Sequence, residues 1–117
     1  GDALTPKLIA EEAEAGDPLS NEIIMDTARW LGIGLVTLIH TIDPSGVLLG
    51  GAMTFGGGAS ELGRRFLGRI KQEIDARAFA LLAERIQVEF ASLGADAGYI
   101  GAAGIARLEH IKARSQK

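Results

Sequence analysis

Gly50-Gly51, at the carboxyl end of the apolar run Val47-Leu48-Leu49, is the pair of residues in this 117-residue chain best suited to meet a ligand. Glycine exposes bare backbone and adopts conformations closed to other residues, so a glycine pair lets a flat or phosphorylated group come close. In open α/β sheets that end of a strand is where ligands bind. The glycine-rich stretch from Gly51 to Gly58 reads as flexible or as phosphate-cradling. It is not a P-loop, because no Gly-Lys-Ser/Thr follows, and it does not satisfy the dinucleotide fingerprint.

The remaining chemistry-bearing residues read as structural. His40 and Asp43 could form a base and its orienter, but a histidine at a helix end more often interacts with the last helical carbonyls, and that is the expectation here. His110 lies among charges and is expected to be exposed. Ser60 lacks a Gly-x-Ser-x-Gly elbow and reads as a helix N-cap rather than a nucleophile. Glu11, Glu12 and Glu14 form a solvated acidic face. The chain's two histidines belong to no ligand cluster, and no cysteine is present, so neither a metal centre nor a catalytic set is expected.

The elements that must position the glycine pair follow from local signals. Thr5-Pro6 opens a helix over Pro6 to Ala15, and Asp17-Pro18 restarts one, each with a capping oxygen and a proline in the first turn. From Ile24 the apolar residues Ala28, Leu31, Leu35, Leu38, Ile39 and Ile42 recur at steps of three and four, predicting a long amphipathic helix whose second half is largely buried. Gly32 and Gly34 each cost that helix roughly 1 kcal/mol relative to alanine. Close helix packing is the favoured reason, with approach to a ligand as the other.

After the turn Asp43-Pro44-Ser45-Gly46, the run Val47 to Gly50 predicts a buried parallel strand. Leu62, Phe66, Ile70 and Ile74 then mark the inner face of a helix capped by Ser60, with Arg64, Arg65, Lys71 and Glu73 off that face. Ile86 to Phe90 alternates apolar and polar residues, predicting a second strand parallel to the first through a right-handed crossover. Asp96 is a candidate cap for a last helix, Ala97 to about Arg114, fraying beyond Arg107. Its small residues Ala97, Gly98, Gly101, Ala102, Ala103 and Gly104 predict a surface that another helix or backbone approaches closely.

A net charge of -3 supplies no basic field, so nucleic-acid binding by this segment is not expected. The longest apolar region, Leu31 to Ile42, is interrupted by Gly32, Gly34, Thr37 and His40 and is shorter than the ~20 residues of a membrane span. No signal-peptide pattern opens the chain, and a cytoplasmic protein without a membrane partner is the expectation.

Four motifs in order resemble one family: Ala15-Gly16-Asp17-Pro18; Leu31-Gly32-Ile33-Gly34-Leu35 with Leu38-Ile39; Asp43-Pro44 before Val47-Leu48-Leu49-Gly50-Gly51; and Leu93-Gly94-Ala95-Asp96-Ala97-Gly98-Tyr99-Ile100-Gly101-Ala102-Ala103. Together they are similar to the carboxyl-terminal part of ROK-family proteins, which comprise bacterial-type sugar kinases, glucokinase being typical, and sugar-responsive repressors. The resemblance implies an α/β fold, part of an actin-like ATPase (ribonuclease H-like) domain, with two or so parallel strands packed by long helices. It implies that residues 1–117 are a partial carboxyl-terminal domain of a ROK-type sugar kinase.

By that resemblance Gly50, Gly51, Ala52 and Met53 lie against the nucleoside of ATP, and the helix from Gly98 to Gly104 crosses a counterpart at the interdomain hinge, where closure requires close contact. The intact enzyme would use ATP with magnesium to phosphorylate a hexose. The family's phosphate loop, catalytic aspartate, sugar-binding residues and His/Cys zinc motif lie upstream of the matching segment and are absent here. The third glycine common in the family is Ala52, followed by Met53-Thr54-Phe55, and Asp43 stands where asparagine is usual. The expected function is therefore the adenosine side of a glucokinase, inactive alone, with a ROK repressor's effector domain or a standalone oligomerisation module as alternatives. Two strands are too few to cover these helices, so self-association is also expected.

Overall fold

A computed structural model describes residues 4–51 and 53–115. Three of its helices begin where the sequence supplies a capping oxygen. Thr5 Oγ1 accepts the Leu8 N–H at 3.2 Å to open α1 (Pro6–Glu14), and the Asp17 carboxylate accepts the Ser20 N–H at 2.7 Å to open α2 (Pro18–Ile42). The hydrogen bonds from the Ser20 backbone and hydroxyl favour ionised Asp17 and hold its carboxyl below the usual range. Glu11, Glu12 and Glu14 are exposed, as expected.

Ser60 caps α3 (Glu61–Arg77), its Oγ accepting the Gly63 N–H at 3.3 Å. The core lies between α2 and α3. Ile24, Ala28, Leu35, Val36 and Ile39 from α2 meet Leu62, Phe66, Ile70 and Ile74 from α3, and all are buried. The three-and-four spacing thus places one stripe of each helix against the other. Gly32 sits at the crossing, where a methyl group would stand 3.0 Å from the Ile70 carbonyl oxygen; Gly34 faces open space. Close packing therefore accounts for Gly32 alone.

Three expectations about this core are corrected. The second half of α2 is not largely buried, because Leu31, Leu38 and Ile42 are 39%, 51% and 67% exposed. By length and composition α2 could cross a membrane, contrary to the shorter apolar region read from the sequence; in this fold one stripe of it carries the core. Glu73 is not off the buried face of α3 but is itself buried, its carboxylate gripped by Arg69 Nη2 and Arg77 Nε, each at 2.5 Å. The hydrogen bond from Arg77 is the main reason that its carboxyl titrates below the usual range; burial opposes this and the charge of Arg69 adds to it.

β1 (Gly46–Leu49) and β2 (Gln87–Phe90) form the parallel pair that the sequence predicts, in the register Gly46↔Gln87 to Leu49↔Phe90. A short helix not anticipated from the sequence, α4 (Ala80–Arg85), precedes β2. β1 is not buried: its residues alternate between exposed and half-buried, with Leu48 73% exposed. The helices cover one face of this strand and leave its other face and outer edge bare. The run Val47-Leu48-Leu49 has the composition of a strand covered on both sides, and this chain supplies a cover for one.

α5 (Ala97–Ser115) follows directly from the 3-10 turn Gly94–Asp96, so Asp96 belongs to that turn. The Asp96 side chain, three residues before Tyr99, raises the phenol's pKa. No residue of α5 is buried among those described, and a methyl group on Gly98, Gly101 or Gly104 would meet nothing within 4 Å. The predicted contact surface is thus solvated here. The helix also runs through the predicted fraying point, with Lys112 and Glu109 paired at 3.0 Å. The radius of gyration of 18.3 Å, against about 13 Å for a compact domain of this length, reflects that projection.

Candidate functional site

β1 delivers the glycine pair to the surface. Leu49 is its last residue, and its carbonyl accepts the Ala91 N–H at 2.8 Å, so the ladder ends immediately before Gly50. Gly50 and Gly51 are both exposed. Gly51 has φ +90°, a backbone conformation that side-chain-bearing residues rarely adopt, and the direction of its absent side chain is open space. Met53 is 45% exposed. Ala52, the remaining residue expected at this site, lies outside the described residues.

Beside the turn lies an open groove of about 590 Å³, walled by Trp30 and Leu31 of α2, Leu48, Leu49, Gly50, Met53 and Phe66. Among the described residues no charged side chain lines it. Such a wall suits a flat, largely apolar group and offers no cation to a phosphate. Trp30 is held by its own helix: the indole Nε1 donates to Asp26 Oδ2 at 3.1 Å, and the Arg29 guanidinium stands 5.0 Å from the ring centroid. Sequence reasoning missed Trp30 and Phe66 as neighbours of the glycine pair. They lie 20 positions before and 16 after Gly50, and only the packing of α2 and α3 brings them there.

The loop after Met53 is more ordered than a flexible tether. The Gly57 N–H donates to the Thr54 carbonyl at 2.8 Å, Arg64 Nη1 donates to the Gly58 and Ala59 carbonyls at 3.1 and 3.2 Å, and Gly57–Ala59 form a 3-10 turn. Gly63 leaves room for it, since a methyl group there would collide with the Gly57 carbonyl.

The other candidates do not join this site. His40 does not interact with the last carbonyls of α2. Its Nε2 accepts the Phe79 N–H at 3.2 Å and its ring stacks on Phe79 with centroids 4.5 Å apart, tying the end of α2 to the segment between α3 and α4. Asp43 instead ends α2 in a left-handed conformation, φ 43°, donating its N–H to the Ile39 carbonyl. His110 is exposed on α5. Among the described residues no group of three His, Cys, Asp or Glu could hold a metal.

Residues 1–109 match the sequence profile of the ROK family. The chain is 32% identical over 98 residues to a glucokinase of Halalkalibacterium halodurans, covering 84% of this chain and 28% of that protein. It is 32% identical over 101 residues to a beta-glucoside kinase of Klebsiella pneumoniae, covering 86% and 30%. A xylose repressor of Caldicellulosiruptor bescii is 26% identical over 92 residues, covering 79% and 22%. The chain therefore spans less than a third of the length of these curated relatives.

The crystal structure of a candidate sugar kinase from Cytophaga hutchinsonii superposes with a TM-score of 0.73 at 27% identity, over 92% of this chain and 34% of that one. The parallel pair and its helices are thus part of an actin-like ATPase fold. With 109 of its 117 residues matched by one profile, the chain belongs to the ROK family.

Proposed function

We propose that this chain is the carboxyl-terminal portion of an ATP-dependent glucokinase and supplies one wall of its nucleoside site. The observation that carries the reading is the exposed glycine pair at the end of β1, whose first member, Gly50, lines an uncharged apolar groove. Gly50, Gly51, Ala52 and Met53 are the residues assigned to it. Gly51 keeps its face free of a side chain, Met53 and Trp30 offer apolar surface, and the backbone sets the distance of approach. In the intact enzyme ATP would donate its terminal phosphoryl group to the 6-hydroxyl of a hexose.

The described residues fit a nucleoside but not magnesium or the phosphates, since no carboxylate cluster and no cation face the turn. No step of phosphoryl transfer is therefore assigned to this chain, and by itself it is expected not to phosphorylate glucose. A coupled assay detecting glucose-dependent ATP consumption would overturn that part. The nucleoside site is tested by titrating ATP into the chain and into Gly51→Val. Valine would be strained at φ +90° and would fill the open face, so its affinity is expected to fall.

A repressor's effector domain is the second reading, supported by the xylose repressor among the relatives. Absence of ATP binding together with a DNA-binding segment upstream in the parent gene would favour it. We place the protein in the cytoplasm by analogy with kinases of soluble sugars. We also expect homo-oligomers, because β1 has a bare face and edge and Trp30 and Leu48 are 60% and 73% exposed. A strictly monomeric mass by light scattering at micromolar concentration would count against this.

A further inference from the structure

Phe55 combines features that its immediate neighbours do not require. It has φ 50° and is followed by Gly56 at 78° and Gly57 at 60°, three consecutive residues in the left-handed region. Glycine enters that region freely, whereas for a bulky side chain it is a genuine outlier. Such a conformation persists only where surrounding structure over-determines it. Here its packing against the buried core, with the Phe66 ring as the direct partner, does so.

On one side, the Phe55 ring meets Phe66 of α3 edge-on, with centroids 4.9 Å apart. On the other, Phe55 and Met53 line a small open apolar pocket of about 70 Å³ together with Ile9 of α1 and Ile24 of α2. The loop is fixed again two residues later, where the Gly57 carbonyl lies over Gly63 with no space for a methyl group. Phe66 is common to both ends of the arrangement, since it also lines the groove beside Gly50.

We infer that Phe55 is a positioning residue for the nucleoside site: its ring, packed on Phe66 and the core beside the pocket it shares with Met53, holds Gly51 and Met53 in the conformation that meets the ligand. It touches no ligand itself. Its backbone strain is the cost of anchoring a loop that glycines alone would leave free to sample other turns. This inference rests on the nucleoside reading above, and the experiment separates the two.

The test measures ATP affinity by calorimetry, and backbone amide order parameters by NMR, for the wild-type chain, Phe55→Ala and Phe55→Leu, all well below their melting temperatures. Phe55→Ala removes the side chain from the core. Phe55→Leu keeps an apolar side chain but removes the ring contact with Phe66, and decides the matter where Phe55→Ala does not fold. Loss of preorganisation is expected to weaken ATP by about tenfold in both variants. Order parameters at Gly51 and Met53 are expected to fall from about 0.85 towards 0.6, with those of α2 and α3 unchanged.

If the wild-type chain does not bind ATP but the variants still loosen Gly51 and Met53, the nucleoside reading falls and the positioning of the turn stands. If the folded variants leave those order parameters unchanged, or bind ATP as tightly as wild type, the role of Phe55 is overturned.

Discussion

Gly32 on α2 lies so close to Glu73 on α3 that a methyl group on the glycine would stand 2.7 Å from the Glu73 Cβ. The contact brings the backbone of one helix against the aliphatic stem of a glutamate whose carboxylate two arginines hold. It sets how near the two main helices can come, and hence the depth of the core beneath β1.

The two glycines of α2 are expected to respond oppositely to alanine. Gly32→Ala overpacks the crossing and should destabilise by about 1–3 kcal/mol, less the helical gain of alanine. Gly34→Ala meets nothing within 4 Å and should stabilise by up to about 1 kcal/mol. Urea midpoints measure both; equal shifts would remove the packing account of Gly32.

Acid should weaken the fold through Glu73 and Asp17, whose carboxyls both titrate lower folded than unfolded. The stability they confer is fully present above their ordinary values, about 4.3 and 3.9, and is lost as pH falls through the lowered folded-state values. Glu73→Gln should reduce stability at neutral pH and flatten this part of the acid profile. Asp17→Asn keeps a capping oxygen and should flatten the profile with little loss at neutral pH. The midpoint of urea unfolding followed from pH 7 to pH 2 reads both.

Ser60 is expected to act only as a cap. Ser60→Ala should cost about 1 kcal/mol, and Ser60→Asn should recover most of it. A loss not recovered by asparagine would show that the hydroxyl has another task.

Burial should separate Ile70 from Leu48. Ile70 is fully buried, and Ile70→Ala should cost about 2–5 kcal/mol. Leu48→Ala should leave monomer stability within about 0.5 kcal/mol. Leu48→Lys should lower the mass measured by light scattering if the bare face of β1 joins copies; an unchanged oligomer mass would place the contact elsewhere.

Much of the local structure was legible before any coordinates. Thr5, Asp17 and Ser60 cap the helices predicted to begin after them, because capping needs only an oxygen within three residues of the N–H it accepts. Leu62, Phe66, Ile70 and Ile74 are buried together because one turn of helix brings every fourth residue to one side. The parallel pairing followed from two short strands, one apolar and one alternating, separated by a helical segment.

The glycine pair was visible for a similar reason, as a backbone exception at the end of an apolar run. Its surroundings were not. Trp30 and Phe66 reach it, and Phe79 reaches His40 from 39 positions away, through the mutual placement of α2 and α3. Glu73 looked solvent-facing because charged residues usually are, and its two arginine partners on the same helix make its burial tolerable.

The sequence by itself determined where α1, α2, α3 and α5 begin and which side of α2 and α3 is apolar, since those depend on residues three or four positions apart. Only the tertiary structure decided that β1 is bare on one face, that α5 stands in solvent and that the glycine turn opens onto an apolar groove. Burial is a property of whatever lies opposite, and no local spacing specifies that.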